Sequence, residues 1–143
     1  MKILVAVDLA DATEKVVNKV EELAPLLSAA VWLLHVAEPE PDFVGLDVGP
    51  QHVRDALSNV FHHEHVQIQQ IAERLRSRGI DTTALLVQGA TAEGILQEAA
   101  KLQVDMIVLG SHGSGAVRQI VLGSVSAGVL QKSACPVLLV PIR

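Results

Sequence analysis

Residues 105–124 read DMIVLGSHGSGAVRQIVLGS. Met106 to Leu109 form an unbroken apolar run, the pattern of a strand buried on both faces. Behind it stand Gly110, Gly113 and Gly115, and then Gly123 after a short apolar stretch. Glycine tolerates φ > 0 and lets other groups approach the backbone, at a cost in conformational entropy on folding. Such a cluster implies a turn to be made or a ligand to be held. Gly123-Ser124 then opens a helix, whose free N–H groups and positive dipole end suit an anion. Strand, glycine loop and helix start together describe one unit of a parallel α/β sheet, which binds ligands at the carboxyl ends of its strands.

The alternation continues outward in both directions. KILVAV (2–7) reads as a strand; Asp11 and Glu14 then make a capping box for a helix carrying Val16, Val17, Val20, Leu23 and Leu27. Pro25 should kink or close that helix. AAVWLLHV (29–36) is the second strand. AEPEPDFVGLDVGP (37–50) follows, a long loop with three prolines and four acids, and loops of that length are usually functional or mobile. A long helix over about 51–78, with Val60, Ile68, Ile71 and Leu75 on one stripe, ends at Gly79. DTTALLVQ (81–88) is the third strand, and Thr91 can cap a helix with Ile95, Leu96, Ala99 and Leu102. DMIVLG (105–110) is the fourth strand and CPVLLVP (135–141) holds the fifth. Strands apolar on both faces, alternating with helices, predict a parallel sheet covered on both sides, with right-handed crossovers. No internal repeat or second domain is visible, so 1–143 is expected to be one domain.

Composition narrows the function. Half of the 143 residues are hydrophobic and 19% are charged, which is a globular rather than a disordered balance. The formal net charge of −5 argues against a nucleic-acid partner, which usually requires a basic face. Trp32, Phe43 and Phe61 are the only aromatic residues, too few for a base-stacking platform. No apolar run has the length of a membrane span. Asp8 arrives too early for a signal-peptide core, and the single Cys135 cannot form an internal disulfide, so the cytoplasm is expected.

The loop after Gly110 could wrap a phosphate chain. Ser124 and Ser126 could add hydroxyl donors there, and His112 or Arg118 could add positive charge. It is not a P-loop, since no Gly-Lys-Ser/Thr follows, and Arg118 breaks a dinucleotide fingerprint. The alternative is a flexible connector in which Gly123 only permits tight helix–strand packing.

Gly110, Gly113 and then, nine residues on, Gly123-Ser124 match the pattern G-x2-G-x9-G-[ST]. With VAVD on the first strand, HV ending the second, VQGATAEGI and CPVLLVP, the chain resembles the universal stress proteins of the nucleotide-binding type over nearly its whole length. The resemblance implies a five-stranded parallel sheet of order 3-2-1-4-5, with ATP or AMP across strands 1 and 4. By position it places Asp8 at the ribose or adenine and Val36 at the adenine. It likewise runs Gly110 and Gly113 under the ribose and phosphates, and sets Gly123, Ser124 and Val125 on the phosphates. The family usually has Gly-Ser after its first-strand Asp, whereas this chain has Leu9-Ala10.

Other features have competing readings. Asp8 could simply cap the next helix, but Asp11 fills that role better and frees Asp8 for a ligand. His62 and His65, three apart around Glu64, raise the question of a metal; no ligand partner stands at suitable spacing, and a solvated or partner-facing patch is the better reading. Cys135 lacks a nucleophile–base arrangement and reads as a packing residue. Magnesium could bridge Glu38, Glu40, Asp42 or Asp47 to a phosphate chain, against the simpler reading of a solvated lid. With no P-loop lysine and no catalytic base beside the glycines, a sensor or regulator is favoured over a catalyst. A slow ATP hydrolase or nucleotidyl transferase using His112 or Arg118, and a dimeric interaction module without nucleotide, are the alternatives. The resemblance also implies a homodimer through the last strand, an apolar edge with open backbone groups.

Overall fold

The computed structural model describes residues 1–38, 50–111 and 122–142. In chain order the elements are β1 (Lys2–Ala6), α1 (Thr13–Leu26), β2 (Ala30–Ala37), α2 (Pro50–Ser77), β3 (Thr82–Gln88), α3 (Thr91–Leu102), β4 (Met106–Gly110), α4 (Ser124–Lys132) and β5 (Val137–Val140). All strand pairings are parallel, in the order β3-β2-β1-β4-β5. Ile3 pairs with Val31 on one side and with Met106 on the other. Strand order therefore reverses at β1, which opens a crevice between the carboxyl ends of β1 and β4.

The period of two along β1 divides the core. Ile3 and Val5 face a cluster with Val16, Val17 and Val20 of α1 and Ile68 and Leu75 of α2. Leu4 faces the opposite cluster with Leu34, Ile95 of α3, Ile107 and Val129 of α4. Helices thus cover both faces, as strands apolar on both sides require. Pro25 lies in the last turn of α1 and closes the helix, which ends at Leu26.

Two helix starts differ from the sequence reading. The Asp11–Glu14 capping box does not form: Ala12 occupies the N-cap of α1 with helical angles and no side-chain cap bond. Asp8 instead ties the turn before the helix, its Oδ1 accepting from the Ala10 amide and the Thr13 hydroxyl, each at 3.0 Å, with no bond to a helix amide. The cause is Leu9, whose φ of +60° turns the chain sharply enough to bring Thr13 under Asp8. A non-glycine residue in this region costs about 1–2 kcal/mol. Leu9 offsets that by packing on the first core cluster. Likewise Thr91 does not cap α3 but is its first residue, after Ala90 at the N-cap.

Glu14 instead joins a network between α1 and α2. Arg74 donates to Glu14 at 2.8 Å, to Asn18 at 2.7 Å and to Glu21 at 2.5 Å, and Arg78 reaches Glu21 at 3.3 Å. The hydrogen bond from Arg74 is the main cause holding the Glu21 carboxyl below its ordinary range. A carboxyl depressed in the folded state contributes stability that is present at neutral pH and lost as pH falls through the folded value. Glu21→Gln is therefore expected to lower stability by about 1.5–3 kcal/mol at neutral pH, the scale of a hydrogen bond to a charged group. The difference from wild type should vanish in acid, as urea titrations at several pH values would register.

Candidate functional site

A cavity of about 640 Å³ opens at the carboxyl ends of β1, β2 and β4. That volume is within the range of small-ligand sites. One wall is aliphatic, built from Leu34, Val36, Ile95 and Leu109. Val36 is buried and pressed by α3, because Gly94 has no side chain: a Cβ there would stand 3.0 Å from a Val36 methyl. The opposite rim is polar, with Asp8, Thr13, Glu38, Thr91 and the Gly123–Ser126 segment.

Asp8, Val36, Gly110, Gly123, Ser124, Val125 and Ser126 all line this one cavity. His112 and Gly113 lie outside the described residues, as does Arg118. The end of β4 is clamped to α4 at two points. Gly123 N–H donates to the Ser111 carbonyl at 3.0 Å, and the buried Ser126 hydroxyl donates to the Gly110 carbonyl at 2.7 Å. The hydroxyl proton of Ser126 is thereby engaged within the fold, which leaves its backbone amide as the donor it can offer a ligand.

Three helices begin at the cavity, and their starts are filled differently. Asp8 occupies the entry to α1. Glu38 occupies that of α3, accepting from the Thr91 hydroxyl at 2.7 Å and the Thr91 amide at 3.1 Å. Those two bonds, the hydroxyl first, hold the Glu38 carboxyl below its ordinary range. At α4, Gly123 is the N-cap without any side-chain cap bond, and the first helical bond runs from Ala127 N–H to the Gly123 carbonyl. The amides of Ser124, Val125 and Ser126 precede that bond, in the turn where a helix leaves its donors unmet. A carboxylate of the chain itself stands at two of the three positive helix ends, and at the third no acceptor for the first-turn amides is found among the described residues.

Sequence reasoning passed over His35. It is buried in β2, with Nδ1 at 2.8 Å from the Val7 carbonyl and Nε2 at 2.9 Å from Glu64 Oε2. Glu64 thus turns inward from the HHEH run, while His62, His63 and His65 are exposed. Among the described residues no three His, Cys, Asp or Glu side chains are grouped as a metal site would need. Cys135 packs against the second core cluster, with Sγ 3.5 Å from the Ser133 hydroxyl oxygen.

Fold and site together define a doubly wound α/β protein with its ligand crevice at the strand-order reversal. The model of the universal stress protein family matches residues 1–141, and the chain belongs to that family. Universal stress protein YxiE of Bacillus subtilis is 33% identical over 144 residues, covering 97% of each chain. The solved structure of protein MJ0577, known as a universal stress protein of Methanocaldococcus jannaschii, superimposes with a TM-score of 0.85 at 28% identity, covering 99% of this chain and 96% of that one. The universal stress protein of Archaeoglobus fulgidus in complex with dAMP superimposes with a TM-score of 0.65 at 22% identity, covering 98% and 97%. Among the described residues no helix is long and apolar enough to cross a membrane.

Proposed function

We propose that the chain binds an adenine nucleotide, ATP or AMP, in this cavity and acts as a cytoplasmic stress-response sensor or regulator rather than a catalyst. The observation that carries the reading is the start of α4, uncapped among the described residues, beside an aliphatic wall. A phosphate accepts from the Ser124, Val125 and Ser126 amides. The base slides between Val36, Ile95 and Leu109, with Asp8 toward the ribose. Gly110, Gly113 and His112 take the span between, following the G-x2-G-x9-G-S spacing. The complex of the Archaeoglobus relative with dAMP supports a ligand of this class. Magnesium would accompany ATP through its phosphates, with at most one or two carboxylates from the chain.

The test is thermal denaturation with millimolar ATP or AMP. A ligand present at 100 times its Kd and bound only to the folded state adds about 2.7 kcal/mol. A rise in Tm of several degrees is expected, and an unmoved midpoint with both nucleotides would refute the reading. Running the ATP series with and without magnesium reads the ion's part.

We also propose a homodimer through β5, the last strand of the sheet, which among the described residues pairs only with β4. An open apolar edge of this kind pairs readily with a second copy. Light scattering at micromolar concentration should give about twice 15.2 kDa, and a mass near 15.2 kDa would remove the proposal.

A further inference from the structure

Gly94 lies in the first turn of α3, and the side chain it lacks bears on where the aliphatic wall of the cavity stands. A Cβ at this position would lie 3.0 Å and 3.1 Å from the two Val36 methyls, tighter than side chains ordinarily pack. It would lie 3.7 Å from the Val36 Cβ, an ordinary contact. If a methyl were added, either α3 or Val36 would have to give by a few tenths of an ångström. α3 is held at several points. Glu38 accepts from the amide and hydroxyl of Thr91 at its start. Ala92 meets α4 at Gly128, where a Cβ would stand 3.3 Å from that of Ala92. Ile95 and Ala99 are buried in the second core cluster. Val36, in contrast, borders open space, because it lines the cavity.

We infer that Gly94 is a positioning residue for the ligand wall: it lets Val36 sit back against α3 and so keeps the base slot at its full width. A methyl at position 94 narrows the slot from behind, without touching the ligand. This inference rests on the nucleotide reading above, in which the base lies against Val36. It also sets two effects against each other. Alanine is the better helix former, so the substitution favours α3 while it takes space from the cavity.

Calorimetric titration of the full chain with ATP tests this as a cycle of wild type, Gly94→Ala, Val36→Ala and the double variant. Gly94→Ala is expected to weaken ATP binding roughly tenfold, the scale of overpacking a well-fitted site by a methyl. Its Tm should hold or rise by about 2–4 °C, because the helix is favoured. Val36→Ala removes both methyls that the added group would press and leaves only the 3.7 Å contact. In that background, adding Gly94→Ala should change the affinity by less than about twofold, as for independent sites. A tenfold loss confined to the Val36 background supports the inference. Equal losses in both backgrounds, no loss in either, or a Tm lowered by more than about 4 °C would overturn it, since residue 94 would then act through α3 or not at all. Carbon-13 methyl spectra of the ligand-free proteins give a reading independent of ATP. Shifts in Gly94→Ala concentrated on Val36 support the displaced wall; shifts spread along α3 with Val36 unmoved overturn it. If ATP binds none of the four proteins, the nucleotide reading falls, and the methyl spectra still decide whether residue 94 sets the wall.

Discussion

Ser124→Asp is expected to raise the stability of the fold slightly and to abolish nucleotide binding. Ser124 is the exposed first residue of α4, after an N-cap that contributes no side-chain bond. A carboxylate there complements the helix dipole by about 0.3–1 kcal/mol. It would also set a carboxylate at the start of α4, as Glu38 stands at that of α3. A phosphate brought to within about 4 Å of this charge meets a repulsion on the order of 4 kcal/mol at an effective dielectric of about 20. That corresponds to a roughly thousandfold loss of affinity. Stability and binding should therefore move in opposite directions, which a generally damaged fold cannot imitate. Calorimetric titration beside thermal denaturation measures both. Wild-type affinity in the variant would mean that phosphate does not meet α4.

Leu34→Ala should produce the largest loss of stability among single changes near the site. Leu34 is fully buried in the second core cluster and also forms part of the cavity wall. Truncating a buried leucine to alanine costs about 2–5 kcal/mol, most where the surroundings cannot collapse into the space. The flanking strands hold Leu34 in register with Ala6 and Leu85, which limits such collapse. A fall in Tm on the order of 10 °C follows for a chain of this size. ATP at saturating concentration should recover part of it by mass action. A loss under 1 kcal/mol by denaturant titration would show that the wall repacks.

Much of this arrangement was legible in the chain, for uneven reasons. Alternating apolar runs and helical stripes marked the five strands and the first three helices described here, because parallel strands buried on both faces leave a strong compositional trace, and Gly123-Ser124 marked the start of α4. Strand order came only with the family resemblance, since periodicity says which residues are buried and not which strands are neighbours. Gly110, Gly123 and Ser124 were legible because a glycine loop between strand and helix has a physical reason to exist. The Asp11 capping box failed because the outcome turns on one backbone angle, the φ of +60° at Leu9, which sets the turn that Asp8 ties to Ala10 and Thr13. Leucine carries no signal for that conformation, whereas the glycine usual in the family does. Thr91 resembled a cap because it precedes a helical stripe, but the group that satisfies its amide is Glu38, which lies far away in sequence. His35 was hidden in the same way. A histidine inside AAVWLLHV looks like one more strand residue, and nothing local ties it to a glutamate in the HHEH run.

The central place of β1 has a consequence for how the molecule comes into being on the ribosome. One edge of β1 can pair as soon as β2 has emerged, but its other edge waits for β4, whose Met106 meets Ile3. At about 5–20 residues per second, the intervening hundred or so residues take roughly 5–20 s to synthesise. Through that interval the edge of β1 that β4 will cover has no strand beside it. The crevice closes later still, because the end of β4 must be joined to Gly123 and α4 before any amide cradle exists. A nucleotide bound as proposed here therefore cannot template the early stages of folding. It can only reward a chain that is nearly finished.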